Sequence, residues 1–355
     1  MRWWAWLIAI IAVVIAVSSC SSPGRFAERN PYLQPKDTNA IDFFMMRWFG
    51  DDEWADQVSE IAANPELVPQ QQVNLGALLA PGTEPQITWL GHATFLLQYQ
   101  GLNILTDPIF SDRASPLSFA GPERLQQPPL SIAELPTIDF VVISHNHYDH
   151  LDEATIRALG SSVTYLVPLG LTAWFTDLGI AAAQVREFDW WDVQSFGTLR
   201  VTATPSQHWS ARSLWDKNDT LWASWHLAVG DWQVWFAGDT GYNDKQFKEI
   251  GQRFPDIDDA LLPIGAYLPR WFMQPQHINP EEAVMMHRDV GATRSYAMHW
   301  GTYQLAAESL RQTRDDLTTA KQALATDTST VQLMAIGQTV NGAASLFFDD
   351  DDSEN

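Results

Sequence analysis

Ser144-His145-Asn146-His147-Tyr148-Asp149-His150-Leu151-Asp152 packs three histidines and one aspartate with metal-ligand spacing into six residues, His145 to His150. It follows Phe140–Ser144, an apolar run that reads as a buried strand. Residues two apart in an extended segment project to the same side, so His145 and His147 point together. As the chain turns, Asp149 and His150 can face a second centre beside the first. A solvated polar loop is the plain alternative, but it gives no reason for this spacing. Three further donors stand singly, each just past a strand-like run: His208, Asp239 and His299. Gly238 precedes Asp239 and permits close backbone approach there. Four segments that each end a strand can converge on one sheet edge. Their nitrogen and oxygen donors suit zinc, with iron or manganese also compatible. The only cysteine, Cys20, excludes an intrachain disulfide and leaves His, Asp and Glu to build any metal site in the body.

The elements that must position these residues are short and strand-rich. Ile87–Leu90, Thr94–Tyr99 and Leu102–Thr106 alternate apolar and polar residues, with Gln100-Gly101 as a turn. Further strand-like runs occur at Thr164–Val167, Leu199–Thr204, Trp222–Val229, Gln233–Ala237, Ala260–Ile264 and Ser295–Met298; Gly230-Asp231 reads as a hairpin turn. Asp152 is placed to cap a helix through Leu159. Asn279-Pro280-Glu281-Glu282 opens another that Gly291 closes, and a third is expected over Ala306–Leu324. Strands in two batches with helices interspersed predict an α/β sandwich of two packed sheets. No Gly-rich phosphate loop follows a strand, which argues against a doubly wound fold. With 355 residues, 46% hydrophobic and 18% charged, the chain has ample core material and is not a disordered sequence. The balance of 21 basic and 43 acidic residues, a net charge of −22, excludes nucleic acid as an expected partner. Seventeen tryptophans are an unusual feature of the composition.

The two ends read differently from the body. Arg2 and the apolar run Trp3–Val17 suit a secretory signal, being short for a membrane span. Val17-Ser18-Ser19-Cys20 resembles a bacterial lipobox, so Cys20 is the expected lipidation site; an uncleaved signal anchor is the alternative. Ser21 after the cysteine resembles outer-membrane sorting. The expected organisation is a signal peptide over 1–19, a lipidated tether over 20–38, a hydrolase domain with an N-terminal extension over 39–348, and an acidic tail over 349–355. Within the extension, Phe43–Phe49 could pack in the core or form an apolar lip, and 64–85 reads as a connector.

Longer strings carry a resemblance. The order of the four donor segments resembles the metallo-β-lactamase superfamily of binuclear zinc hydrolases. Thr88-Trp89-Leu90-Gly91-His92-Ala93-Thr94, Leu105-Thr106-Asp107-Pro108-Ile109-Phe110-Ser111, Asp189-Trp190-Trp191 and Pro205-Ser206-Gln207-His208-Trp209 are similar to its N-acyl-phosphatidylethanolamine-hydrolysing phospholipase D branch. So are Pro263-Ile264-Gly265-Ala266-Tyr267 and Pro269-Arg270-Trp271-Phe272-Met273. The likeness spans roughly residues 40–324 and implies an αββα sandwich. It implies that His145, His147 and His208 hold one zinc, that Asp149, His150 and His299 hold the other, and that Asp239 bridges them. In that branch an activated water attacks phosphorus, releasing N-acylethanolamine and leaving phosphatidate. Asp239 would position the nucleophile. His277 matches a family histidine near the site and would bind phosphate or protonate the leaving group; capping the next helix is its structural alternative.

Other residues are left open by this reading. His92 is either an orienting partner of a ligand or a core histidine, and Asp107 an orienting or turn residue. His226 and His287 read as structural. Expected partners are a phospholipid substrate and a membrane reached through the lipid anchor, with a homodimer left open. A hydrolase of another phosphodiester or of a lactone is the competing enzyme. A catalytically silent lipoprotein is the competing class, and the complete set of seven donors argues against it.

Overall fold

The computed structural model describes residues 24–30, 54–213, 215–325 and 330–342. Cys20, Phe43–Phe49 and the acidic tail lie outside these residues. Two seven-stranded sheets form the body. The first holds β1 (Gln86–Gly91), β2 (Thr94–Tyr99), β3 (Leu102–Thr106), β4 (Phe140–Val142), β5 (Thr164–Pro168) and β6 (Val185–Phe188). The second holds β7 (Val193–Phe196), β8 (Leu199–Thr204), β9 (Ser224–Val229), β10 (Trp232–Phe236), β11 (Asp259–Pro263), β12 (Arg294–Met298) and β13 (Val331–Gln332). β14 (Thr339–Asn341) returns to pair with β1, so the orders are β14-β1-β2-β3-β4-β5-β6 and β13-β12-β11-β10-β9-β8-β7.

Alternation along the strands makes the layers. Phe140 and Val142 join Trp89, Phe95, Trp225 and Leu227 in the larger core cluster, to which both sheets contribute. Their neighbours Val141 and Ile143 belong instead to a second cluster with Ile156 and Phe175 from helices Glu153–Leu159 and Thr172–Asp177. Apolar residues on alternate positions of one buried strand thus serve two layers. The expected sandwich is the observed fold.

Boundaries differ where a cap or an edge decides them. The late helix runs Leu310–Ala323 and starts after Ala306, because the Ser309 side chain accepts from Gln312 N and fixes the N-terminus. The helix after Asn279 has the expected reciprocal bonds with Glu282 and ends at Gly291 in the left-handed region, φ 71°. The β4 pairing ends at Val142, which leaves Ile143 and Ser144 as the lead into the donor run. Residues 64–85 include helix Leu75–Leu79 and a bridge between Gln70 and Ile336, so this connector is pinned to the body. Residues 24–30, expected within the tether, are also packed: Phe26 is buried with Leu221 and Trp222.

Candidate metal centre

Strand ends bring the donors together. The first sheet delivers His145, His147, Asp149 and His150 just past β4, while β8, β10 and β12 of the second deliver His208, Asp239 and His299. Donor atoms of His145, His147 and His208 lie within 4.8 Å of one another, as do those of Asp149, His150 and His299 with His92. His147 Nδ1 is 2.8 Å from His145 Nε2 and 3.3 Å from His208 Nε2. His150 Nε2 and His299 Nε2 are 3.2 Å apart. Asp239 Oδ2 lies between the two groups, 3.1 Å from His299, 3.2 Å from His150, 3.8 Å from His208 and 4.0 Å from His145. All seven expected donors therefore meet in one place.

This arrangement fits cations. His147 Nδ1 faces two other ring nitrogens at once, and a neutral imidazole nitrogen with one proton or one lone pair cannot form a full N–H···N bond with both, whereas a shared cation satisfies all three. Asp239 Oδ1 and His147 Nε2 are buried without a hydrogen-bond partner among the described residues, which is costly for a carboxylate unless a cation compensates.

Comparisons with known proteins agree with the geometry. A beta-lactamase superfamily domain matches residues 102–300, a span that contains all seven donors. The chain belongs to the metallo-β-lactamase superfamily. N-acyl-phosphatidylethanolamine-hydrolyzing phospholipase D 1 of Caenorhabditis elegans is 43% identical over 241 residues, covering 65% of this chain and 68% of the relative. A Pyrobaculum aerophilum relative named as a metal-dependent hydrolase is 30% identical over 222 residues, covering 62% of this chain and 86% of its own. Among solved structures, the isothiocyanate hydrolase from Delia radicum gut bacteria superposes with a TM-score of 0.60 at 21% identity, over 73% of this chain and 99% of that one. At that identity the likeness speaks to the fold. The chain is thus a metal-dependent hydrolase of the metallo-β-lactamase superfamily.

The donors are held from behind. Asp107, buried and completely enclosed, accepts from Ser144 N at 2.7 Å and lies 2.6 Å from His150 Nδ1. Ser144 Oγ bonds Asp107 at 2.5 Å and sits 2.9 Å from His145 Nδ1, so one carboxylate orients two histidines. His92 Nε2 is 2.9 Å from Asp149 Oδ2, and its ring lies against His299 with centroids 4.3 Å apart. Of the two roles left open for His92 and Asp107, the contacts are those of orienting residues. His208 Nδ1 faces the Gln276 carbonyl at 3.0 Å, which leaves Nε2 for the centre. His226 and His287 lie elsewhere, bonded to Gln233 and Ser295.

The backbone is bent to make these approaches. His92, Asp107 and His299 have φ of 52°, 34° and 62°, a region unfavourable to side-chain-bearing residues and here confined by the surrounding contacts. Gly238 also has positive φ, and a Cβ there would come 2.6 Å from Ser144 Cβ. Only glycine lets the Asp239 segment pass so close to the donor run.

Tryptophan indoles fasten the same loops, a use that composition alone did not reveal. Trp225 Nε1 donates to the Ile143 carbonyl at 3.0 Å, joining the second sheet to the residue before Ser144. Trp89 reaches the His92 carbonyl at 3.0 Å and Trp222 the Ser206 carbonyl at 2.9 Å. The bonds to Ile143 and Ser206 each end two residues before a donor, and the third ends on the orienting residue His92.

Charge in the centre is divided. Burial holds His145 and His208 well below the ordinary histidine range and lowers His147 to about 4. Burial also opposes protonation of His299, but Asp239 and Asp149 outweigh it and push that group up to about 9. For Asp239, burial favours the neutral acid, yet His299 and His150 pull it well below the carboxylate range. Asp239 and Asp149, both held well below the carboxylate range, remain anionic at neutral pH, whereas burial pushes Asp107 up.

His277 lies at the open side of this cluster. Its Nδ1 is 3.8 Å from Asp239 Oδ2 and its side chain is 15% exposed. Arg270 donates to the His277 carbonyl at 2.9 Å and pairs with Glu282 at 2.7 Å, so the histidine sits on a fixed support.

Proposed function

We propose that the chain is a phosphoric diester hydrolase of phospholipase D type. It converts N-acyl-phosphatidylethanolamine to N-acylethanolamine and phosphatidate with two zinc ions, at an outer membrane to which Cys20 anchors it. The observation that carries this reading is the 43% identity to the C. elegans enzyme named for that lipid. The donor set supports it from the chemistry side. When bound, a metal pair supplies positive charge that lowers the pKa of water and neutralises an anionic phosphate oxygen.

The residues of the chain do the rest. His145, His147 and His208 would hold one zinc; Asp149, His150 and His299 would hold the other. Asp239, central to both groups of donors, would be shared by the two sites. Asp107 and Ser144 hold the His150 and His145 imidazoles from their Nδ1 sides, and His92 holds the Asp149 carboxylate. The oxygen of water joins phosphorus, and the bond from phosphorus to the ethanolamine oxygen breaks. His277, at the exposed side, would give that oxygen its proton.

Hydrolysis of the lipid in heavy-oxygen water tests the assignment. The label is expected in phosphatidate. Label in the N-acylethanolamine, or turnover of a lactone without any phospholipid, overturns it. Elemental analysis of protein from zinc-supplemented medium is expected to give two zinc ions per chain.

A further inference from the structure

Beside the metal centre lies a cavity of ≈ 800 Å³ whose wall includes Asn146 and Tyr148, the residues that alternate with the donors. One side is the 115–118 segment and the other includes Arg212 and Asp216. Both sides carry large exposed apolar groups: Leu117 and Phe119 on the first, 47% and 78% exposed, and Trp215 on the second, 57% exposed. On a chain of net charge −22, adhesion of such a rim to an acidic lipid surface by charge is unfavourable. Apolar insertion into a zwitterionic bilayer is not opposed in that way.

The N-terminal chain leaves the body beside the same rim. Phe26 N donates to the Asn218 carbonyl at 2.9 Å, and a Cβ on Gly24 would stand 2.0 Å from the Lys217 carbonyl oxygen. Lys217 and Asn218 are two and three residues from Trp215. Phe26 is buried against Leu221 and Trp222, Arg29 pairs with Asp189 at 2.5 Å, and Asn30 donates to the His208 carbonyl at 3.1 Å. The segment is therefore fastened at several points, including the donor loop itself.

We propose that residues 24–30 are a clip that holds the N-terminal membrane attachment at the cavity rim, so that Leu117, Phe119 and Trp215 face a lipid bilayer. The proposal rests on the reading that Cys20 is acylated. Gly24 is four steps along the chain from Cys20, with three residues between, and a fully extended chain of that length spans about 14 Å. An anchor so short cannot present the far ends of the sheets to the membrane. The clip converts simple tethering into orientation, delivering the cavity mouth to the surface where the lipid lies.

The test uses the full-length chain in phosphatidylcholine vesicles that contain N-acyl-phosphatidylethanolamine. An environment-sensitive thiol label is placed by Phe119→Cys, and in a second protein by Thr198→Cys, at the end of β8 remote from His208. Intact mass reports whether Cys20 is acylated and its thiol thereby blocked. Nitroxide-bearing lipid is expected to quench the label at 119 and spare that at 198. In the same chain carrying Phe26→Ala and Arg29→Gln, quenching at 119 is expected to be lost while the protein stays on the vesicles. Hydrolysis of vesicle lipid should fall by about tenfold as the anchored protein no longer holds the cavity mouth against the surface, and hydrolysis of a monomeric short-chain analogue should be unchanged. Persistent quenching at 119 in the double variant, equal quenching at 198, or equal loss on both substrates overturns the clip. So does a mass without acyl groups. If no phospholipid is hydrolysed by any form, the proposed function fails, while quenching that depends on Phe26 and Arg29 still upholds the clip.

Discussion

The two halves of the centre offer similar ligands on different supports. His145 and His208 are backed by neutral groups, the Ser144 hydroxyl and the Gln276 carbonyl. His150 is backed by the Asp107 carboxylate at 2.6 Å, and its half of the centre also contains Asp149, itself fixed by His92. A unit negative charge about 5 Å from a cation is worth roughly 3 kcal/mol at an effective dielectric of 20. That difference corresponds to about a hundredfold in affinity. Two sites with nearly the same donors should therefore bind metal unequally, and the inequality resides in residues behind the ligands.

Removing what the halves share has the largest expected effect. Asp239→Ala leaves five imidazoles with Asp149 as the one remaining carboxylate among the donors, and both metals should be lost along with activity by roughly a thousandfold, about 4 kcal/mol of barrier. Elemental analysis beside turnover checks this; two retained equivalents would deny Asp239 its central role. Next comes the inequality itself. Titration of the metal-loaded protein with a chromogenic chelator should show two steps about a hundredfold apart. Asp107→Asn keeps the size but removes the charge, and should weaken the tighter step by about 10–100-fold, bringing the two together. A single step in the unmodified chain would mean that the supports are equivalent.

His277→Gln should leave both metals in place and lower kcat by about a hundredfold, less than Asp239→Ala. Loss of a metal in this variant would place His277 among the ligands.

The halves also differed in how readily the sequence disclosed them. His145 to His150 is local, so its spacing alone carries the chemistry. His208, Asp239 and His299 became legible only as single donors at strand ends. Asp107 and His92 could not be resolved, because their roles depend on contacts with His150, 43 residues away, and Asp149, 57 residues away. Among the elements, the central strands were legible from their apolar alternation. β6, β7, β13 and β14 were not, being short strands with partly exposed faces or at sheet edges. Helix Asp244–Arg253 escaped for a related reason: it buries only Gln246, Phe247 and Ile250, a stripe too narrow to stand out among charged residues.

The smallest expected effect concerns the bond that holds the halves in register. Trp225 belongs to β9 of the second sheet, yet its indole donates to the carbonyl of Ile143 on the first. Ile143 lies two residues before His145, so this bond links the sheet carrying the single donors to the start of the local run. Trp225→Phe keeps an aromatic ring in the core and removes that donor. Leaving a buried carbonyl without it costs about 1–3 kcal/mol. The shift in the Ile143 strand end should reach His145 before His150, since Asp107 holds His150 independently through Nδ1. The weaker metal step should therefore loosen by less than about tenfold, with the tighter one unchanged. Thermal melts with and without saturating metal, followed by the same chelator titration, separate the two effects. A stability loss without movement of either step would confine the indole to the core; equal movement of both would show that the sheets shift as one body.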